Sequence, residues 1–279
     1  MTAEDVEGVE AVAWASLGAL VPPEFRDEAT AHARGLARHR WFLRTDPGGC
    51  WVAVREGAIM GTAIALLREG LCGLSLYAVA EPERGRGVGR RLLDAALGYG
   101  ARSRGGLILS SEHPAALRRY ARAGFALRPC VSAAGIVDRM ALRGRLGVDD
   151  QPDLEPALAL AADVSRAVRG AAHGDDLRWF LHWGSALVIV PGRGFAVHRA
   201  GSPRLLAARD QDTAARLLWA CLAASPRGGS VHVGFIAAGH DWAVDVCLRA
   251  GLALSPDGPI FVRGNVGPLA PYLPSGTFL

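Results

Sequence analysis

The sequence predicts an α/β (α+β) chain of two similar halves, each a mixed, mostly antiparallel sheet flanked by helices. Three observations carry that expectation. A meander of strands in the first half runs into a glycine-rich turn and then an amphipathic helix. The segment His113–Pro129 recurs without gaps as His240–Pro256, with 8 of 17 positions identical, a spacing that signals a duplicated domain rather than a solenoid of short repeats. The chain has 279 residues, enough for two compact domains of about 130–150 residues, each with its own core.

The elements follow in order. Two helical stretches, about Ala3–Leu20 and Phe25–Arg44, are closed by Asp46-Pro47-Gly48-Gly49. Strands are expected at Trp51–Arg55, Ala58–Leu67 and Cys72–Val79, joined by turns at Glu56-Gly57 and Arg68-Glu69-Gly70. After the turn and its helix, Leu107–Ser111 reads as a short buried strand, and a helix follows over Ala115–Ala123. Pro114 suits the first helical turn and Gly124 the position just past its end. In the second half, Ser185–Val190, Phe195–Arg199 and Arg204–Ala208 repeat the meander.

The segment Val79–Leu93 (VAEPERGRGVGRRLL) carries the chemistry. Glycines at 85, 87 and 89 remove Cβ atoms from one side of the turn, so backbone N–H groups can converge on an anion. The following helix directs its positive dipole end at the same spot. Arg84, Arg86, Arg90 and Arg91 add mobile positive charge. Two better-known phosphate loops are excluded. A Walker A loop needs a lysine, and all 31 basic residues here are arginine; lysine Schiff-base chemistry falls with it. A dinucleotide fingerprint needs Gly-x-Gly-x-x-Gly after the first strand, whereas here the third glycine position is Arg90 and several strands precede it.

The remaining pattern, Arg84-x-x-Gly87-x-Gly89, resembles the acyl-CoA loop of the GCN5-related N-acetyltransferase (GNAT) superfamily. The run Leu117–Phe125, with Tyr120 four residues before Gly124-Phe125, resembles that family's second signature. The resemblance implies tandem GNAT-like domains with acetyl-CoA as cosubstrate. It implies pyrophosphate binding by Arg84, Gly85, Arg86, Gly87, Val88, Gly89 and Arg90. The last meander strand would splay from the next one, so that the backbone at Tyr77, Ala78 and Val79 binds the pantetheine arm and polarises the acyl carbonyl; Ser111 is a further cofactor contact. Tyr120 would act as general acid toward the departing thiolate, a proton exchange that a phenol of pKa about 10 can make with a thiol of pKa about 8.5. The family's usual first strand is missing or very short here.

The second half diverges where the chemistry would sit. At an offset of 125, Gly87 falls on Asp212 and Gly89 on Ala214; at 127, Tyr120 falls on Cys247 and Phe125 on Leu252. A carboxylate repels pyrophosphate and a Cβ blocks backbone approach. The division expected is a catalytic domain over 1–146 and a degenerate GNAT-like domain with a C-terminal tail over 147–279, the linker lying within Arg143–Pro152.

Five cysteines, odd in number and without C-x-x-C spacing, read as reduced packing residues of a cytoplasmic protein. The apolar stretch Ala11–Pro23 follows acids rather than bases, unlike a signal peptide, and no stretch reaches membrane-spanning length. A net charge of +4 comes from scattered arginines, which argues against a nucleic-acid stripe. No histidine spacing suits zinc, so no metal is expected. No acid or histidine lies within Cys72–Val79, so Glu112 and His113 are candidate bases, against a helix-capping role for His113. The loop Arg169–Asp176 is either an acceptor-pocket wall or a plain helix connection. The tail Pro268–Leu279 reads as a docked strap, and Leu279 is a further candidate base through a terminal carboxylate. The expected activity is direct acetyl transfer to an amine, either a small molecule or a protein N-terminus. An acyl-CoA sensor or scaffold without turnover is the alternative.

Overall fold

The computed structural model describes residues 1–20, 28–142 and 146–279. The expected helix start at Phe25 and the linker residues 143–145 lie outside that set. The chain divides into two compact units, Met1–Ile108 with Leu279, and Leu109–Phe278.

The first unit begins with α1 (Val6–Leu17) and α2 (Glu28–Thr45), followed by strands β1 (Cys50–Arg55), β2 (Ala58–Arg68) and β3 (Leu71–Val79), helix α3 (Val88–Tyr99) and strand β4 (Gly105–Leu109). The strands lie in the order β1-β2-β3-β4. The first two hairpins are antiparallel and β4 joins parallel to β3. Strand β2 carries six consecutive buried residues, Gly61–Leu66, the pattern of a strand covered on both faces, and α1 and α3 both pack against it. In α3, Val88, Leu92 and Ala96 recur every four residues beside Gly89 and Leu93, and all are buried. That stripe docks the helix, each buried leucine contributing about 1.5–3 kcal/mol.

Asp46 ties the unit together. Its carboxylate accepts the Leu67 N–H at 2.8 Å, the Arg68 guanidinium at 2.8 Å, the Thr45 hydroxyl at 2.7 Å and the Tyr99 hydroxyl at 3.2 Å. The ends of α2 and α3 are thereby pinned to β2. Burial, reinforced by that carboxylate, pushes the Tyr99 hydroxyl pKa up to about 12.

The second unit holds α4 (Pro114–Arg122), β5 (Ala126–Ile136), α5 (Leu154–Val168), α6 (Asp176–His182), β6 (Ala186–Val190), β7 (Gly194–Arg199), β8 (Ser202–Ala208), α7 (Gln211–Ala223), β9 (Ser230–Ala237), α8 (Asp241–Arg249), β10 (Ala253–Gly264) and β11 (Tyr272–Leu273). Three strands run β10-β5-β9, and a separate sheet runs β11-β8-β7-β6. The duplicated segments adopt matching structures: α4 and α8 are both nine residues long, with His113 and His240 at their N-caps. Their following strands, β5 and β10, pair antiparallel with each other, from Ala253↔Ala134 to Val262↔Ala126. This is the self-complementary pairing that two copies of one strand make across an isologous interface. Leu217, Leu218, Cys221 and Leu222 of α7 close the core with Val231, Val233, Val246 and Cys247.

The strand expected at Leu107–Ser111 is Gly105–Leu109 instead. Ser110 lies just past that run, and its N–H donates to Pro259 C=O at 3.0 Å. Gly258 is required beside it, since a Cβ there would collide with the Ser110 carbonyl.

Candidate functional site

The site residues of the first unit sit where β3 gives way to α3. Between Val79 and Val88 the chain makes a short 3-10 turn, Glu81–Glu83, and then the glycine-rich turn. The turn is anchored from beneath. Glu83 is buried, and its carboxylate accepts from both terminal nitrogens of Arg55 on β1. Arg84 Nε donates to the Val79 carbonyl at 3.2 Å, and Arg86 lies 3.9 Å from Glu83. One expected phosphate arginine, Arg84, thus also holds the turn to the strand end. Arg90 and Arg91 are exposed on the first turn of α3.

Gly85 and Gly87 have φ of +83° and +84°, a backbone region costly for residues with a Cβ. No heavy atom lies within 4 Å of the Cβ position at either, so the space beside the turn is open. Gly87 is the N-cap of α3 and provides no side-chain cap. The first backbone bond into the helix is Arg91 N–H to Gly87 C=O at 3.3 Å. The N–H groups of Val88, Gly89 and Arg90 precede it and have no acceptor inside the helix. A bare helix N-terminus beside arginines, in open space, fits a pyrophosphate. Gly89 is buried within the helix.

The strand leading to the turn parts from its neighbour. The ladder between β3 and β4 runs from Leu71↔Gly105 to Leu74↔Ile108, while β3 continues to Val79. Its register to β2 slips at the same point, from Ala65↔Leu74 to Ile64↔Leu76, so Ser75 is a bulge. Beyond it, Ala80 N–H donates to Met60 C=O at 2.9 Å. Strand alternation then turns the backbone groups of Ala78 toward β2, and those of Tyr77 and Val79 away from it. Of the three residues expected to bind pantetheine, Tyr77 and Val79 turn their peptide groups to the parted edge, where the Val79 carbonyl already accepts from Arg84 Nε and from the Ser16 hydroxyl at 3.5 Å.

In the second unit, Tyr120 lies on α4, is buried, and packs edge-on against Phe261 with ring centroids 5.4 Å apart. His113 caps that helix, its Nδ1 accepting the Ala115 N–H at 3.3 Å. Glu112 is exposed. Ser111 is half-buried in the loop ahead of α4, and its carbonyl accepts the Ser110 hydroxyl at 2.7 Å.

The corresponding turn of the second half is built differently. Only Arg209 and Asp210 separate β8 from α7, against eight residues, Ala80–Gly87, between β3 and α3. The counterpart of Gly87 is therefore Asp210, two residues from the Asp212 that a gapless offset aligns. Asp210 caps α7, accepting the Thr213 N–H at 2.8 Å and the Thr213 hydroxyl at 2.9 Å, and pairs with Arg193 at 2.6 Å. Burial alone would raise its pKa, but the Thr213 and Arg193 bonds outweigh it and hold the carboxyl low. Strand β8 is occupied as well: β11 pairs with it at Tyr272↔Ala207 and Leu273↔Leu206.

The tail is a strap, and the loop Arg169–Asp176 is its dock rather than a pocket wall. Arg169, His173 and Asp176 are buried. Gly267 N–H donates to Arg169 C=O at 2.8 Å, and the Tyr272 hydroxyl meets His173 Nε2 at 3.2 Å. Phe278 packs between Trp179 and Phe180, with centroids 5.1 and 4.9 Å away. His240 accepts the Tyr272 N–H at 3.3 Å, and burial holds its pKa below the ordinary histidine value.

Sequence reasoning missed one buried polar pair. Glu10 on α1 meets His39 on α2, Oε2 to Nε2 at 2.8 Å, with both side chains buried. Burial lowers the His39 pKa despite that bond. The available signal was an acid on the apolar stripe Val6, Val9, Glu10, Ala13. Among the described residues, no group of three or more metal-type side chains comes together, and no helix is long and apolar enough to cross a membrane. None of the five cysteines is in a disulfide, and all are buried.

Comparison with known proteins places this geometry. No curated protein matches the chain by sequence. The fold matches a putative acetyltransferase from Pyrococcus horikoshii with a TM-score of 0.80 at 14% identity, over 100% of this chain and 93% of that one. A GCN5-related N-acetyltransferase from Kribbella flavida matches with a TM-score of 0.59 at 18% identity, over 95% of this chain and 70% of that one. A tandem GNAT protein from the clavulanic acid biosynthesis pathway matches with a TM-score of 0.56 at 12% identity, over 95% and 97%. Residues 14–125 match the acetyltransferase (GNAT) family model. They span the β3–α3 turn and reach Tyr120, so this stretch of the chain is similar to the family's acetyltransferase domain.

Proposed function

We propose that the protein transfers an acyl group, acetyl by preference, from acyl-CoA to an amine, with the single acyl-CoA site in the copy spanning 1–146. The observation that carries this reading is the uncapped N-terminus of α3 at Gly87, open beside it and adjoining the parted edge of β3. The copy spanning 147–279 has neither feature, and we assign it no cofactor.

Bound acyl-CoA would supply a thioester whose carbonyl carbon accepts the amine nitrogen while the C–S bond breaks. The N–H groups of Val88–Arg90, with Arg84, Arg86 and Arg90, hold the pyrophosphate. The peptide groups of Tyr77 and Val79 hold the pantetheine arm, and an N–H there polarises the carbonyl. Tyr120 donates its hydroxyl proton to the departing sulfur, and the amine releases its own proton to solvent. Buried cysteines outside disulfides suit a reducing compartment, and we place the protein in the cytoplasm. A small amine and a protein N-terminus are both compatible acceptors.

A second reading, acyl-CoA binding without turnover, draws on His113, whose ring nitrogen is engaged as a helix cap, and on the lack of an acid or histidine in β3. Calorimetric titration with acetyl-CoA tests the site: one equivalent per chain is expected, and no binding would overturn it. Thiol release on addition of amine acceptors then separates enzyme from sensor.

A further inference from the structure

The parted edge of β3 has a closed end, and a residue from the far end of the sequence sits on it. Leu279 is 1% exposed and groups with the first unit, apart from its chain neighbours. Its side chain occupies the space over Gly73, where any Cβ would collide with it. Gly73 pairs with Leu107 of β4, one residue before the ladder ends at Leu74↔Ile108. From Val79 back to Leu74 the strand spans roughly 17 Å, comparable with an extended pantetheine arm. A thioester reaching along this edge from the α3 turn would end beside Leu74.

Beyond that point the strands are paired, so an acyl chain must leave the plane of the sheet. The register decides which face is available. Gly73 opposes Leu66 of β2, while Leu76 opposes Ile64 and Ala78 opposes Thr62. These residues share one face, because the Ser75 bulge shifts the alternation. Cys72 and Leu74 oppose Leu67 and Ala65 and lie on the other face. There α3 and the turn after it fill the space: Leu92 packs beside Gly61, and Cys72 packs against Gly100. Helix α1 also packs on β2 and β3, and at Gly73 the opposite face is covered by Leu279, so an acyl chain that leaves the closed end of the edge by that face meets Leu279.

We propose that Leu279 determines acyl-chain length, its side chain on Gly73 forming the wall against which acyl groups larger than acetyl collide. The inference rests on the acyl-CoA reading above. Its test is calorimetric affinity for acetyl-, butyryl- and hexanoyl-CoA in the wild type, Leu279→Ala and Leu279→Val. In the wild type, affinity is expected to fall with chain length. In Leu279→Ala the hexanoyl-to-acetyl affinity ratio should rise by about tenfold or more, with Leu279→Val between. Leu279→Val removes one methylene and keeps the test available if Leu279→Ala does not fold. The same ratio in all three proteins, with acetyl-CoA still bound, would overturn the wall. Failure of the wild type to bind acetyl-CoA would instead overturn the site itself.

Discussion

Helices α3 and α7 are duplicated versions of one element, yet their N-termini are finished in opposite ways. At α3 the cap is Gly87, in the left-handed region and without a side chain, and open space lies beside it. At α7 the cap is Asp210, in extended geometry, with its carboxylate on the Thr213 N–H and on Arg193. Both solutions answer the same requirement, that the first N–H groups of a helix find acceptors. The second copy carries its anion covalently, whereas the first leaves the place for one from outside. The edges of the preceding strands differ in the same sense. Strand β8 is paired with the tail at Tyr272 and Leu273, while the β3 ladder to β4 stops at Leu74. On the proposed function, what the second copy lacks as a binding site it holds instead as internal hydrogen bonds.

The sharpest way to break this contrast is to write the second copy's solution into the first. Gly87→Asp should weaken acetyl-CoA binding by at least about 10²-fold. It adds an anion at the pyrophosphate position and forces a Cβ into the left-handed region at a cost of about 1–2 kcal/mol. Gly87→Ala separates the two effects, since it carries the backbone cost alone; equal affinity in wild type and Gly87→Asp would remove the turn from the site. Tyr120→Phe should slow acyl transfer about 10²-fold while acetyl-CoA still titrates at one equivalent. An unchanged rate in that variant would take Tyr120 out of the mechanism.

The converse change tests the second copy. Asp210→Ala removes a helix cap and should lower stability by about 0.5–2 kcal/mol in chemical denaturation, with acetyl-CoA stoichiometry still at one. Because the folded carboxyl is held low, the wild-type advantage is complete above the ordinary Asp value of about 3.9 and is lost as pH falls through the folded pKa. A second acetyl-CoA equivalent in this variant would mean the cap alone blocks the site.

The smallest effect expected is on pH dependence. Burial lowers the pKa of His39 in the first unit and of His198 and His240 in the second. The unfolded chain then binds protons that the folded chain refuses, so stability is full above about 6.5 and declines as pH falls toward the folded values. Thermal unfolding between pH 7.5 and 5.5 should show Tm falling with acidification. The fall should be shallower in His198→Gln, and a flat profile would contradict the assignment.

Much of this was legible in the residues. The meander at Cys50–Val79 was readable because apolar runs are broken by Glu-Gly turns with positive φ at Glu56, Gly57, Glu69 and Gly70. The turn at 84–90 was readable because glycine spacing reports where a backbone must lack Cβ atoms. The second turn was read two residues out of place. Its loop is shorter by six residues, the 3-10 segment Glu81–Glu83 among those it lacks, which a gapless comparison cannot reveal. Asp46 and Glu10 were illegible as hubs, since Asp46 acts chiefly through Leu67, Arg68 and Tyr99 and Glu10 through His39, all more than 20 residues away in sequence.

The sequence by itself determined the elements, the duplication and the position of the glycine-rich turn before α3, because these rest on periodicity and local backbone constraint. Only the tertiary structure decided how those pieces are used. It parted β3 from β4 at a bulge, paired β5 with its own duplicate β10, turned the Arg169–Asp176 loop into the dock for the tail, and set Leu279 on Gly73. Each of these is a contact between residues distant along the chain, and distance along the chain carries no local signal of which partner will be met.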